Sequence, residues 1–248
     1  TGQFFNHLLE KENIASVIIK TSNETRENII VLDESTNNQY RFGMPGTKLS
    51  EHEWKECLRE VEKINDVEFI VASGSLPPGV PLDIYAQMAK IAKNKKAKFV
   101  VDTSGEALRY AADEGVYLLK PNLGELSSMA GKQELQPEEI KDIATGMIDT
   151  GKCEVMLVSM GAVGAMFVTH NIAEIISSPP VVKRSTVGAG DSMVAGIVYY
   201  LSIGKSLEEA AHYGVACGSA ATMNPGTALC SRQDADRLYT FIRKTKKI

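Results

Sequence analysis

Ala97-Lys98-Phe99-Val100-Val101-Asp102 carries three consecutive apolar side chains at its centre. A strand with one face in water alternates apolar and polar residues, whereas a strand covered on both faces runs apolar without a break. Phe69-Ile70-Val71 has the same character, and from residue 50 onward helical and strand patterns alternate. Helices are expected over 50–64, 81–95, 104–113, 122–130, 137–150, 190–203, 206–222 and 231–245. Strands are expected over 67–72, 97–102, 116–120, 154–159, 164–168 and 172–177. That order predicts a doubly wound α/β fold with a mostly parallel central sheet.

Toward the N-terminus the pattern changes. Phe4, Phe5, Leu8 and Leu9 recur at helical spacing, and Ala15-Ser16-Val17-Ile18-Ile19 reads as a short buried strand. Two β-prone runs, Glu27 to Leu32 and Gln39 to Phe42, flank the turn-rich Asp33-Glu34-Ser35-Thr36-Asn37-Asn38. They predict an antiparallel hairpin, a lid over 24–44 at the edge of the core. Thr1 is not a methionine and leads straight into a helix with no strand before it, which reads as a chain whose natural N-terminal segment is absent. No Pro/Gly/Ser linker divides the 248 residues, so 1–248 is expected to be a single domain.

Composition narrows the function classes. With 27 basic and 31 acidic residues the net charge is -4, and neither sign gathers into a block before Arg243-Lys244-Thr245-Lys246-Lys247. That tail reads as a solvated helix end, and no nucleic-acid partner is expected. Cys57, Cys153, Cys217 and Cys230 show no CxxC spacing, which argues against disulfides and a zinc site. His7, His52, His170 and His212 lie in no metal-ligand spacing and receive no role. No apolar run reaches the roughly 20 residues that cross a bilayer. A cytoplasmic protein without a membrane partner is expected.

The chemistry concentrates in Ser185-Thr186-Val187-Gly188-Ala189-Gly190-Asp191-Ser192, followed by an apolar helix. Glycines permit a tight turn and close approach of a ligand, and the first N–H groups of a helix attract an anion, a phosphoryl group above all. Asp191 would stand beside that anion and accept a proton from an attacking hydroxyl. A helix cap and a plain turn remain the alternative. The spacing is neither that of a Walker A loop nor that of GxGxxG.

This segment resembles the C-terminal signature of the ribokinase-like PfkB family of sugar kinases. Three further segments match in the family's order: Ser73-Gly74-Ser75-Leu76-Pro77-Pro78-Gly79, Lys120-Pro121-Asn122-Leu123-Gly124-Glu125, and Val158-Ser159-Met160-Gly161-Ala162-Val163-Gly164. The resemblance runs from Thr1 to Ile242. It implies a three-layer α/β/α fold with a small β lid, and an ATP-dependent sugar kinase with Asp191 as base and the Gly188-Ala189-Gly190 turn stabilising the transferred phosphoryl group. Within the family, Gln39-Tyr40-Arg41-Phe42, Met44-Pro45-Gly46 and Gly218–Asn224 resemble the branch that phosphorylates fructose 6-phosphate to fructose 1,6-bisphosphate. Tagatose-6-phosphate kinase and 1-phosphofructokinase are the alternatives, and a non-catalytic nucleotide-binding fragment is the alternative of another class.

The remaining site residues follow from the resemblance set beside their local chemistry. Lys120, Asn122, Ser159, Gly161 and Asn224 are implied to approach the nucleotide. Asn122 and Glu125 suit a magnesium ion held through water, and a capping box at a helix start explains the same pair. Arg26 and Ser75 are implied to meet the sugar phosphate, with the Arg26 guanidinium on its existing phosphate. Asn224 and Gly226 resemble the border of a monovalent-cation site, which brings in potassium. Pairing of lids across a homodimer is the expected assembly.

Overall fold

The computed structural model describes residues 1–33, 35–36 and 38–245. Helix α1 (Gly2–Lys11) leads to the hairpin β1 (Asn28–Asp33) and β2 (Asn38–Gly43). Then follow α2 (Glu51–Lys63), β3 (Phe69–Ser73), α3 (Ile84–Lys95), β4 (Lys98–Asp102), α4 (Gly105–Glu114), β5 (Val116–Leu119), α5 (Leu123–Met129) and α6 (Pro137–Asp149). The chain ends with β6 (Cys153–Ser159), β7 (Gly164–Thr169), β8 (Ala173–Ser177), α7 (Ala189–Ser202), α8 (Leu207–Thr222) and α9 (Arg232–Thr245).

β3 to β8 form one sheet in sequence order, parallel from β3 to β6 and antiparallel from β6 to β8. Neighbouring residues of one strand point to opposite faces, so Val101, Leu119, Met156 and Val158 join a core with α2 to α6. Val100, Leu118, Val155 and Leu157 join a second core with α7, α8 and α9. Two cores on one sheet are the reason the strands run apolar without a break. The three-layer α/β/α expectation holds.

Helices α7 and α8 pack unusually close. A methyl group on Gly214 would lie 2.5 Å from Ile197 Cγ1 and 3.0 Å from the Met193 carbonyl oxygen, so no larger residue fits there. Behind them Tyr200 stacks on Tyr213 with ring centroids 3.7 Å apart, and Tyr213 donates a hydrogen bond of 2.8 Å to Asp236 on α9. Met193, Tyr199 and Tyr200 thus serve α7 packing.

The hairpin forms where the sequence places it. Asp33 accepts hydrogen bonds from Ser35 and Thr36 at its turn, while Glu34 and Asn37 of that turn, and Lys246–Ile248 of the basic tail, lie outside the described residues. Ile29 pairs with Phe42 and Val31 with Tyr40, and all four are about half exposed or more, at 46–54%. One face of the hairpin is therefore apolar and half exposed among the described residues. The strand expected over Ala15–Ile19 does not form. That segment has no regular structure, pairs with no strand among the described residues, and leaves Val17 and Ile18 exposed.

Glu53 fastens the base of the lid. One carboxylate oxygen accepts from Ser50 N–H at 2.6 Å and closes the capping box of α2, and the other accepts from Ser22 N–H at 2.6 Å. Residues 22 and 50 flank the hairpin, so one buried carboxylate holds both of its ends. These donors, Ser50 N–H first, pull the Glu53 pKa down from 4.5 to about 2. A depressed carboxylate stabilises the fold fully above its ordinary value and loses that contribution as pH falls through its folded value. Glu53→Gln, which sets an NH2 group against N–H donors, should lower the melting temperature at neutral pH. The deficit against the parent should shrink as pH drops from 4.5 toward 2, which thermal unfolding at several pH values measures.

Candidate active site

The anion turn sits where strand ends and helix starts converge. Gly188 takes φ +73°, a left-handed conformation that glycine accepts freely, and α7 begins immediately after it. The N–H groups of its first turn point outward with the positive end of the helix dipole. Asp191 lies in that turn, exposed, and its carboxylate accepts a hydrogen bond of 3.1 Å from Ser73 Oγ at the end of β3. Ser185 Oγ accepts from Val187 N–H and donates to the Gly226 carbonyl at 2.6 Å, which ties the turn to the loop after α8.

The lid reaches this turn directly. Gln39 Nε2 donates to Ser185 Oγ at 3.0 Å, and the Arg41 guanidinium donates to Thr186 Oγ at 2.7 Å. Gln39 and Arg41 alternate with Tyr40 and Phe42, so the polar face of β2 grips the turn while the apolar face looks away.

Under the turn lies a buried ion pair that the sequence reading missed. Lys120 Nζ and Asp102 Oδ1 are 3.1 Å apart, with side chains 6% and 16% exposed. A methyl on Gly190 would stand 3.4 Å from Lys120 Nζ and 3.5 Å from Asp102 Oδ2, so the pair supports the start of α7 from below. Burial raises the Asp102 pKa; Lys120 opposes the shift, and the charges of Glu125 and Asp191 add to it. A single carboxylate ending the apolar Phe99-Val100-Val101 run was the available signal. The pair with Asp102 takes one of the three donors of Lys120, whose Nζ lies beneath Gly190.

Asn122 and Glu125 form the capping box at the start of α5. Glu125 N–H donates to Asn122 Oδ1 at 2.9 Å, and Asn122 N–H donates to Glu125 Oε2 at 2.8 Å. The structural reading of the pair is thus realised, and the carboxylate still faces the same region as Asp102 and Asp191. The donors there are all oxygen, which fits a hard divalent cation such as magnesium. They are too widely set to be grouped as direct ligands, since the cluster of His and carboxylate ligand atoms found within 4.8 Å among the described residues is Glu174, Glu208 and His212, elsewhere in the fold. An ion contacting its water shell fits that spacing. His212, which showed no partner in the sequence, sits 3.1 Å from Glu174 Oε1.

Two clefts lie near the anion turn, one lined by Gly190 and the other by Ser75. One, of about 550 Å³, is lined by Ser159, Gly161, Lys183, Thr186, Gly190 and Ser219 among others. The second, of about 400 Å³, is lined by Arg26, Gly46, Thr47, Ser75 and Pro77 among others. The Ser73-Gly74-Ser75 turn, whose Ser75 lines the second cleft, is held by Thr103 Oγ and Tyr85 OH, both donating to the Gly74 carbonyl. Asn224 lines neither described cleft; its Nδ2 donates to the Leu229 carbonyl at 2.7 Å and shapes the loop after α8.

The chain as a whole is similar to known proteins. The sequence profile of the pfkB family carbohydrate kinases matches residues 1–234. The chain belongs to the PfkB family of carbohydrate kinases. ATP-dependent 6-phosphofructokinase isozyme 2 of Escherichia coli K12 is 39% identical over 245 residues, covering 98% of this chain and 79% of that protein. The crystal structure of phosphofructokinase-2 from E. coli in complex with potassium superposes with a TM-score of 0.93 at 39% identity, over 98% of this chain and 79% of that one. The tetrameric inhibited form of the same E. coli protein gives 0.91 at 38% identity, with the same coverage. The ribokinase-like fold and a carbohydrate-kinase activity follow for this chain, and no helix among its described residues is long and apolar enough to cross a membrane.

Lys120→Met should leave Asp102 buried without its counter-charge and destabilise the fold by about 3–5 kcal/mol. Adding Asp102→Asn to it should recover part of that loss, because the uncompensated charge is then gone. Denaturant unfolding of the two single variants and the double variant measures the recovery.

Proposed function

We propose that this chain transfers the γ-phosphoryl group of ATP to the 1-hydroxyl of fructose 6-phosphate, giving fructose 1,6-bisphosphate and ADP. The observation that carries the reading is the position of Asp191. It follows Gly190, which lines one cleft, and it is hydrogen-bonded by Ser73, two residues from Ser75 in the other. A base so placed meets a nucleotide from one side and a sugar from the other. Asp191 takes the proton of the 1-hydroxyl, whose oxygen forms the new bond to phosphorus as the bond to the ADP oxygen breaks.

The first N–H groups of α7, at Ala189 and Gly190, stabilise the charge on the transferred group. Ser159 and Gly161 receive the nucleotide phosphates, and Arg26 holds the phosphate already present on the sugar. Magnesium neutralises those nucleotide charges when bound, held through water by Asn122 and Glu125 beside Asp102. The lid excludes water, which would otherwise compete as acceptor. The potassium that the resemblance implies would border the loop at Asn224 and Gly226, whose carbonyl accepts from Ser185. The apolar face of Ile29, Val31, Tyr40 and Phe42 supports self-association through the lid, as a homodimer or as half of a larger assembly.

A phosphoryl-transfer screen against fructose 6-phosphate, fructose 1-phosphate and tagatose 6-phosphate decides the acceptor, and the highest kcat/KM is expected for fructose 6-phosphate. Asp191→Asn should keep nucleotide affinity and lower kcat about 10²–10⁴-fold. Arg26→Ala should raise KM for the sugar phosphate by the equivalent of about 1.5–3 kcal/mol, leaving KM for ATP nearly unchanged. Equal effects on both substrates would return Arg26 to a structural role.

A further inference from the structure

His212 shows no metal-ligand spacing in the sequence because one of its partners lies 38 residues away. β8 is the edge strand of the sheet and pairs only with β7 among the described residues. In that pairing Glu174 stands opposite Phe167, and directly paired residues share a face of the sheet. The Glu174 carboxylate therefore points, with the Phe167 ring, toward the layer of α7, α8 and α9. There it meets α8, on which Glu208 and His212, four residues apart, share one side of the helix. His212 is 5% exposed, and Glu174 and Glu208 are half-buried. One ligand atom from each of the three, a ring nitrogen and two carboxylate oxygens, lies within 4.8 Å of the others.

The hydrogen bonds of the His212 ring decide what its far nitrogen can do. Nδ1 stands 2.7 Å from the Glu208 carbonyl oxygen, which only accepts, so the ring carries a hydrogen on Nδ1. Nε2 stands 3.1 Å from Glu174 Oε1. In the neutral ring of that tautomer Nε2 turns a lone pair toward a carboxylate, and such a contact calls for a cation at the pair. A histidine whose Nδ1–H is held by a backbone carbonyl is oriented as metal-ligating histidines are. The spacing suits an ion as well, since two ligands about 2.0–2.1 Å from a tetrahedral centre stand ~3.3 Å apart. A ring nitrogen among carboxylate oxygens favours zinc and similar transition-metal ions over magnesium and calcium, which take oxygen throughout. Three protein ligands leave the fourth position to water.

We propose that Glu174, Glu208 and His212 bind a divalent transition-metal ion of the zinc type, which clamps the edge strand β8 to α8. The site is separate from the anion turn. Gly164 and Ser178 line the larger cleft, and Ser177 at the end of β8 pairs with Gly164, so Glu174, near the start of β8, lies toward the opposite edge of the sheet. An edge strand is hydrogen-bonded along one side only, and ligand bonds to α8 secure it from its face. α8 in turn backs the start of α7, where a methyl on Gly218 would lie 3.2 Å from the Ala189 carbonyl oxygen. The ion thus steadies the layer behind the anion turn, and its binding does not depend on the kinase reading.

Zinc itself is the probe, added to the untagged, chelator-treated chain in excess magnesium, which fills the oxygen-donor region around Asp191. Titration calorimetry should show one zinc ion per chain, and zinc should raise the melting temperature. Cobalt(II) in place of zinc should give the visible absorption of a low-coordinate site without the near-ultraviolet charge-transfer band of a thiolate ligand. His212→Ala and Glu174→Gln should each weaken zinc binding by about 10²-fold or more and remove the rise in melting temperature, while Asp191→Asn keeps both. Glu174→Gln preserves the shape of the side chain, and a cooperative melt of each variant in chelator separates lost binding from lost fold. Zinc uptake unchanged in both variants, or a thiolate band from cobalt, would put the ion elsewhere and overturn the site. No uptake by the folded parent chain would leave the contact of His212 with Glu174 to a proton and overturn it equally. None of these readouts involves phosphoryl transfer, so failure of the proposed function would show separately.

Discussion

Everything at the working end of this molecule stands on the buried pair of Asp102 and Lys120. Val101 is in register with Leu119 in the parallel sheet, so the residues that follow them, one acidic and one basic, emerge side by side where β4 and β5 stop. Neither charge is tolerable alone at that depth. Their contact fixes the ends of two strands relative to each other and supplies the surface on which Gly190 rests. The helix dipole of α7 is thereby aimed from a defined point. An anion site built on a flexible floor would lose the preorganisation on which electrostatic stabilisation depends.

The turn above that floor is held from three sides at once. α8 approaches α7 so closely that Gly214 has no room for a side chain, the loop after α8 takes a hydrogen bond from Ser185, and the hairpin contributes Gln39 and Arg41. Period-two alternation in β2 separates the duties of its residues, with the polar pair turned to the site and Tyr40 and Phe42 turned away. A single short strand thus grips the turn before α7 with one face and exposes Tyr40 and Phe42 on the other.

How much of this was legible in the sequence depended on the range of the interaction. Unbroken apolar runs such as Phe99-Val100-Val101 reported two covered faces, and the cores on either side of the sheet explain why. The hairpin was legible because turn residues and β-prone runs are local signals. Ala15–Ile19 misled because an apolar run states a preference for burial but not the presence of a neighbouring strand. Gly188 to Asp191 were recognisable as a turn and a carboxylate, whereas Asp102, Ser73 and the lid contacts of Arg41 depend on partners many residues away. Asn122 and Glu125 show the converse: local geometry explains them fully as a cap, and only their direction toward Asp102 and Asp191 connects them with the site.

The reversal of chain direction between β6 and β7 has its own outcome for turnover. A parallel connection would have laid a helix across the sheet at that point, but the chain turns back through Gly161–Val163, and the wall of the larger cleft is a short turn. No described residue of the hairpin lines that cleft, whereas Arg26 and Gly46, near its two ends, line the other. On the proposed reading the two ligands thus have separate doors, the nucleotide past the β6–β7 turn and the sugar phosphate past the ends of the hairpin.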